Sequence, residues 1–239
     1  MVASDRRKWL ALALLSAVQF MVVLDIAIVN VALPSIKDDL GFSQENLQWV
    51  ISAYALVFGG FLLLGGRAAD LLGRKRIFLG GIVIFTVASF LAGMAWSETS
   101  LIGARALQGL GAAIISPAAL SILSVTFREG RERNIALGVW GAVGGVGAAA
   151  GVLLGGVLTE TLSWSWIFFV NVPVGAAAFV LAPLLLSESR DATAKSFDVP
   201  GAVLVTAGLS SLVYAITQAG EHGWLPDGRS ASLQRRSSC

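Results

Sequence analysis

Charged residues, cysteine and histidine are scarce in this chain of 239 residues. Asp, Glu, Lys and Arg together make up only 13% of the positions, whereas 56% are hydrophobic, and the mean hydropathy is +0.77. A water-soluble fold needs more polar surface than this to cover its core. The composition therefore excludes an ordinary soluble domain and predicts that lipid surrounds most of the chain.

The single cysteine, Cys239, and the single histidine, His222, exclude several kinds of site. One cysteine cannot form a disulfide framework, and one cysteine with one histidine is too few for a Cys/His metal site. A Cys/His nucleophile pair is not expected either, because Cys239 is the last residue and His222 lies in a polar stretch beyond the final apolar segment. The net charge of +2 is small and the basic residues occur in short clusters, so nucleic acid is not an expected partner. We expect no cofactor, no metal and no enzymatic activity. An intramembrane protease would need a second acid facing Asp25, and no other apolar segment carries one.

Seven apolar segments are long enough to cross a bilayer, which takes roughly 20 residues in a helix. They cover about residues 9–33, 47–66, 77–96, 100–125, 135–159, 165–186 and 200–219. In hydrocarbon each segment must satisfy its own backbone polar groups, which a helix does. The sequence therefore predicts an all-α integral membrane protein whose consecutive helices are antiparallel neighbours.

Lysine and arginine fall on one side of this arrangement. The N-terminus and the 2/3, 4/5 and 6/7 connections carry Arg6, Arg7, Lys8, Arg67, Arg74, Lys75, Arg76, Arg128, Arg131, Arg133, Arg190 and Lys195, whereas the opposite connections carry only Lys37. Positively charged loops remain in the cytoplasm. The pattern predicts a cytoplasmic N-terminus in a multi-pass protein of the plasma (inner) membrane.

The tail departs from this pattern. A seventh span would place Arg229, Arg235 and Arg236 outside, and the composition changes abruptly after the last apolar segment. We interpret residues 223–239 as a disordered tail, with a truncated or frame-shifted end as the first hypothesis and a natural, translocated tail as the alternative.

Two ionisable residues lie inside the apolar segments. Asp25 is in segment 1 and Arg105 near the start of segment 4. With a rise of 1.5 Å per residue in a core of roughly 30 Å, Asp25 lies about 6 Å and Arg105 about 10 Å from the outer edge. The two opposite charges are therefore expected to pair. They form either a static ion pair that fixes helix register or a proton-coupling site in which the carboxylate takes up and releases a proton.

Further polar and small residues lie in the spans. Gln19, Asn30, Tyr54 and Gln108 are candidates for lining a cavity, with interhelical hydrogen bonding as the equal alternative. Segment 5 is rich in glycine, including Gly147, Gly151, Gly155 and Gly156. Small residues four apart allow close approach of another helix, so this stripe predicts tight packing.

The 2/3 connection, residues 65–76, reads Gly-Gly-Arg-Ala-Ala-Asp-Leu-Leu-Gly-Arg-Lys-Arg. A simple basic loop would need neither the aspartate nor the paired glycines. The stretch resembles the cytoplasmic loop motif of the major facilitator superfamily, through Gly66, Asp70, Gly73, Arg74, Lys75 and Arg76. Glycine at position 73 permits a tight turn, and Asp70 can accept hydrogen bonds from Arg74. We expect Glu129 or Glu132 of the 4/5 connection close to this cluster.

Three more stretches are similar to one branch of that family, the fourteen-span drug/proton antiporters of the EmrB/QacA type. Residues 24–34 resemble its first-span motif, residues 105–113 its fourth-span motif and residues 164–175 the start of its sixth span. The fifth-span motif usually carries Gly-Pro, whereas here Gly151 is followed by Val152. Because this proline is missing, the resemblance does not predict the proline-linked kink of the fifth-span motif in this chain.

The resemblance implies a fold and a function. Residues 1–190 would form the N-terminal six-helix bundle of two inverted three-helix repeats, residues 191–222 a seventh, linker helix loosely attached to it, and a C-terminal half would be missing. Asp25 and Arg105 would lie on the two symmetry-related cavity helices. The implied function is proton-coupled export of drugs or other small amphipathic compounds, with protons and the lipid bilayer as partners. The alternative is a truncated, non-transporting remnant of such a transporter.

Overall fold

A computed structural model describes residues 2–190 and 199–222 of the chain. The predicted tail and the 6/7 connection at 191–198 lie outside the described residues. Helices account for nearly all of the described part, and no strand is assigned in it. They are α1 (Val2–Leu40), α2 (Gln44–Leu47), α3 (Trp49–Leu72), α4 (Arg74–Gly93), α5 (Glu98–Thr126), α6 (Arg131–Thr161), α7 (Trp166–Phe169), α8 (Asn171–Leu185) and α9 (Val199–His222).

The all-helical membrane fold is confirmed, and the first helix is much longer than its apolar segment. Six stretches of the described chain are long and apolar enough to cross a membrane, namely Asp5–Leu40, Gln44–Leu72, Arg74–Gly93, Glu98–Thr126, Arg131–Thr161 and Trp166–Leu185. The first extends well past the predicted 9–33, because helix formation continues into the polar ends that hydropathy leaves out. The chain is therefore a multi-pass membrane protein.

Local sequence explains several helix ends. Ser97 caps α5 with a capping box in which its hydroxyl accepts from Ser100 N–H and the Ser100 hydroxyl accepts from Ser97 N–H. The sixth span is divided at Val170, between α7 and α8, where the helical hydrogen-bond ladder lapses although φ of −60° and ψ of −26° remain helical. Pro173 has no N–H for the carbonyl of Phe169, so an uninterrupted ladder is impossible there. By contrast, α6 runs as one helix without an internal proline.

The helices pack with an internal symmetry. Helix α5 makes its most extensive contacts with α3 and α4, and α1 makes its own with α6 and then α8. If each of the first three spans is exchanged for its counterpart among the last three (α1 for α5, α3 for α6, α4 for α8), the contacts of α5 become those of α1. Arrangement in two three-helix units therefore places α1 and α5 at equivalent positions inside the bundle. Helix α9 packs against α3, where the Tyr214 and Trp49 rings are 6.3 Å apart.

Candidate functional site

The two ionisable residues of the spans meet inside the bundle. Arg105 Nη1 lies 2.6 Å from Asp25 Oδ2, which joins α5 to α1. Asp25 is 0% exposed and Arg105 is 1% exposed. A buried charge is costly unless it is paired and hydrogen-bonded, and this pair satisfies both conditions.

Other buried polar side chains complete a cluster, here named the Asp25 network: Asp25, Ser89, Arg105, Gln108 and Asn171. Asp25 Oδ1 accepts from Gln108 Nε2 at 3.0 Å and from Asn171 Nδ2 at 2.8 Å. Gln108 Nε2 also donates to Ser89 Oγ at 2.8 Å, and Gln108 Oε1 accepts from Arg105 Nη1 at 2.8 Å. The network thus ties α1, α4, α5 and α8 together at one level.

The Arg105 guanidinium is held on its other sides by α3 and α7. Its Nε donates to the backbone carbonyl of Val50 at 3.0 Å. Its Cζ lies 4.3 Å from the centre of the Tyr54 ring and 5.8 Å from that of Phe168. Aromatic faces attract a cation, so these rings hold the guanidinium in place. The Tyr54 hydroxyl is buried and has no hydrogen-bond partner among the described residues.

The fourth-span motif builds this geometry locally. Arg105 and Gln108 are three residues apart, so they lie on the same face of α5. A Cβ at Gly109 would collide with the Tyr54 carbonyl, and one at Gly111 would lie 2.6 Å from Phe85 N. The two glycines therefore let α3 and α4 approach α5 closely enough for the polar side chains to reach Asp25.

Gln19 and Asn30 lie elsewhere. Gln19 Oε1 accepts from Ser116 Oγ at 3.3 Å and lines an apolar cavity of about 550 Å³ between α1, α3, α5 and α6. Phe58 and Trp140 line the same cavity. The exposed Asn30 donates to the Ile26 carbonyl of its own helix at 2.8 Å.

The glycine stripe of α6 faces α1. A Cβ at Gly147, Gly151 or Gly155 would lie 3.2, 2.6 or 3.0 Å from Val23, Ala27 or Val31 respectively. Gly156 points away, because a Cβ there would meet nothing within 4 Å. Three of the four predicted packing glycines therefore lie at the α1–α6 contact, on both sides of Asp25 in α1.

The 66–76 loop motif is held by an acid that sequence reasoning missed. Asp70 Oδ1 accepts from Arg74 Nη2 at 2.9 Å and from Ser121 Oγ at 3.2 Å. Glu188, beyond α8, accepts from the backbone N–H groups of Lys75 and Arg76 at 3.1 and 3.2 Å. It thereby caps the N-terminus of α4.

Two glycines shape this loop. Gly73 has φ +114°, a conformation that glycine adopts without strain, and a Cβ there would lie 2.9 Å from Glu188 Oε1. Gly66 approaches Pro117 of α5, at 3.4 Å from a Cβ to the proline ring. The acids expected near the motif bind elsewhere: Glu132 pairs with Lys8 at 2.8 Å, and Glu129 with Arg133 at 3.0 Å.

Residues 15–226 of the chain match the Major Facilitator Superfamily. It is 50% identical over 220 residues to the puromycin resistance protein pur8 of Streptomyces alboniger, covering 92% of this chain and 44% of that protein. It is 48% identical over 216 residues to the cephamycin export protein CmcT of Amycolatopsis lactamdurans, covering 90% and 44%. The chain thus spans less than half the length of these relatives.

A solved structure shares the fold. The crystal structure of the peptide transporter POT (E310Q mutant), in complex with sulfate, superposes with a TM-score of 0.67 over 93% of this chain and 48% of that one, at 16% identity. Its likeness concerns the fold alone. The match over residues 15–226 and the identity to the resistance and export proteins show that the chain belongs to the major facilitator superfamily.

Proposed function

We propose that this chain forms the N-terminal half of a proton-coupled transporter that exports small amphipathic compounds. The observation that carries the proposal is the buried ion pair of Asp25 and Arg105, on the two symmetry-related inner helices α1 and α5. The relatives of the chain include a puromycin resistance protein and a cephamycin export protein, which support export as the direction.

The pair has the properties that proton coupling needs. Arginine stays charged, so Asp25 is the member that takes up a proton. Protonation leaves Arg105 as a buried cation without a counter-charge, which penalises any conformation that keeps the site dry. A proton that moves inward down 100 mV supplies about 2.3 kcal/mol, enough to change which of two conformations is preferred.

The cavity beside Gln19 supports an amphipathic substrate. Its wall is mostly apolar, and its volume of about 550 Å³ lies within the range of small-molecule sites. The polar part of the wall is made by Gln19, Ser116 and the charged Arg67 and Asp70. In the complete transporter the second half would close this side.

The orientation is part of the proposal. The basic residues of the N-terminus and of the 2/3 and 4/5 connections support a cytoplasmic location for these segments, in a protein of the plasma membrane. Labelling of single cysteines with a membrane-impermeant reagent in whole cells checks this. A cysteine at Lys75 should be protected and one at Gln44 labelled, whereas the reverse pattern would contradict the orientation.

Dye efflux tests the function. Everted vesicles containing the complete transporter should move a fluorescent amphipathic dye when a proton gradient is applied. Asp25→Asn should abolish pH-driven transport and leave dye binding measurable, because the pocket is retained while the titrating group is lost. Transport against a gradient by Asp25→Asn would show that coupling resides elsewhere.

The length of the chain motivates a second arm of the same experiment. This chain spans 44% of the length of each of the two relatives named above, so we propose that it is inactive in transport without a C-terminal half. Vesicles that contain only the 239-residue chain should show no gradient-driven efflux. Efflux by the chain alone would require a homo-oligomer to supply the second cavity wall.

A further inference from the structure

The side chains around Asp25 all present hydrogen-bond donors to it. Its two oxygens accept from Arg105 Nη1, Gln108 Nε2 and Asn171 Nδ2. This arrangement suits a carboxylate, which is an acceptor only. A protonated Asp25 instead carries an O–H that needs an acceptor, and a buried O–H without one is costly.

Two of the three neighbours cannot supply that acceptor. Arginine has donors only. Gln108 is locked in its present orientation, because its amide nitrogen already donates to both Asp25 and Ser89 and its oxygen accepts from Arg105. If its amide turned over, its NH₂ group would face the guanidinium, which places donor against donor.

Asn171 is free of that constraint. Its hydrogen bond in the network is the one from Nδ2 to Asp25 Oδ1 at 2.8 Å, and its side chain is 1% exposed. Rotation of its amide would present Oδ1 to the protonated carboxyl group. We propose that Asn171 is a positioning residue whose amide reverses when Asp25 is protonated. The junction between α7 and α8 then changes its conformation when Asp25 takes up a proton. This inference rests on the proton-coupling role proposed for Asp25.

The location of Asn171 explains how the change would spread. It is the first residue of α8, next to the interruption at Val170, and Phe168 of the preceding turn lies against the Arg105 guanidinium. The segment 166–171 therefore contacts both members of the ion pair. Since the helix ladder is already broken at Pro173, this junction can change its angle with few backbone hydrogen bonds lost.

The groups that face Asp25 contain no second titrating acid among the described contacts. Helix α5 contributes Arg105, and α3 contributes Tyr54, whose ring lies over the guanidinium. Helix α4 contributes Ser89 through Gln108, and the α7–α8 segment contributes Phe168 and Asn171, none of which is charged. A pH response of the junction is therefore assigned to Asp25.

The experiment follows two signals in the 239-residue chain in lipid nanodiscs. Protonation of Asp25 is followed by the infrared carbonyl band of a protonated carboxyl group that Asp25→Asn removes. Movement of the junction is followed by an environment-sensitive fluorophore attached through Trp166→Cys in a Cys239→Ser background. Trp166 is 47% exposed on α7, so it accepts a label.

We expect both signals to change with the same pH midpoint in the otherwise unchanged chain. In Asn171→Leu, which is similar in size and cannot hydrogen-bond, the infrared band should still titrate while the fluorophore response is lost. The matched control is Asn30→Leu, since within the described residues Asn30 bonds to the Ile26 carbonyl of its own helix, and both signals should persist in it.

The outcomes separate the two proposals. A fluorophore response that still follows the band in Asn171→Leu overturns the role of Asn171 and leaves the role of Asp25 standing. Absence of an Asp25 band at any pH overturns the proton-coupling role itself, and the role of Asn171 with it. If leucine prevents folding, the smaller Asn171→Ala provides the test, because it also removes the amide. The fluorophore response should be lost in it while the infrared band still titrates, and a retained response would overturn the proposal.

Discussion

The contact between α1 and α6 gives the sharpest prediction about stability. Gly151→Ala would place a Cβ 2.6 Å from Ala27 Cβ, 3.0 Å from the Leu24 carbonyl oxygen and 3.1 Å from Ile28 N. Carbon atoms prefer separations of about 3.5–4.0 Å, so the two helices must separate by about 1 Å to admit one methyl group. Two of the three neighbours are backbone atoms, which cannot turn aside as a flexible side chain can.

The magnitude follows from two opposing terms. Overpacking of this kind costs about 1–3 kcal/mol, and replacing glycine by alanine inside a helix returns roughly 0.5–1 kcal/mol. We therefore expect Gly151→Ala to lower the free energy of unfolding by up to about 2.5 kcal/mol, with a central value of roughly 1 kcal/mol. Gly156→Ala is the matched control in the same helix. Its Cβ would meet nothing within 4 Å, so only the favourable term applies, and stability should rise by up to about 1 kcal/mol.

Equilibrium unfolding of the purified chain in mixed micelles, titrated with sodium dodecyl sulfate and followed by circular dichroism, measures both effects. The distances also predict an order of destabilisation: Gly151→Ala most, then Gly155→Ala and Gly147→Ala, for which the nearest approaches are 3.0 and 3.2 Å. Equal midpoints for Gly151→Ala and Gly156→Ala would refute the assignment of this face of α6 to the α1 contact.

Three further predictions concern the polar clusters. Tyr54→Phe should keep or raise thermal stability, because it removes a buried hydroxyl without a partner among the described residues. Tyr54→Leu should lower thermal stability, because it removes the ring over Arg105. A drop of the unfolding midpoint in Tyr54→Phe would reveal an essential hydroxyl. Arg105→Lys keeps the charge and loses the fork that reaches Asp25 and the α3 backbone together, so gradient-driven transport by the complete protein should fall at least about tenfold, and wild-type transport rates would contradict this. Glu188→Gln should lower the free energy of unfolding by about 0.5–2 kcal/mol, because it weakens the cap on α4. The control is Glu129→Gln, which should change the free energy little because the Glu129 side chain is 86% exposed. Equal effects of the two variants would contradict the capping role of Glu188.

Residue spacing was enough to predict part of the Asp25 network. The constant rise of a helix converts sequence position into depth, so the pairing of Asp25 with Arg105 follows from counting residues along two spans. Spacing likewise identified Gly147, Gly151 and Gly155 as one stripe, because residues four apart share a helix face. Counting does not say which neighbouring helix a face meets, and the structure was needed to identify α1.

The remaining partners depend on the fold. An asparagine near the end of a span fits the membrane interface as well as the interior, and only the break at Val170 and the packing of α8 bring Asn171 to Asp25. Ser89 is a common residue in transmembrane helices, where its hydroxyl can satisfy itself within the helix. Glu188 meets Lys75 from 113 residues away, a contact that no local pattern records.

The separation of Asp25 and Arg105 along the chain has a consequence for biogenesis. The two residues are 80 positions apart, so α1 leaves the ribosome and reaches the membrane well before α5 has been synthesised. During that interval Asp25 has no cationic partner in a span. An aspartate at the centre of a span disfavours insertion by roughly 2.5–3.5 kcal/mol, and this is an upper limit for Asp25, which lies about 6 Å from the outer edge. The apolar residues of the first helix must offset this cost alone, and the ion pair that closes the bundle can form only when the fourth span arrives.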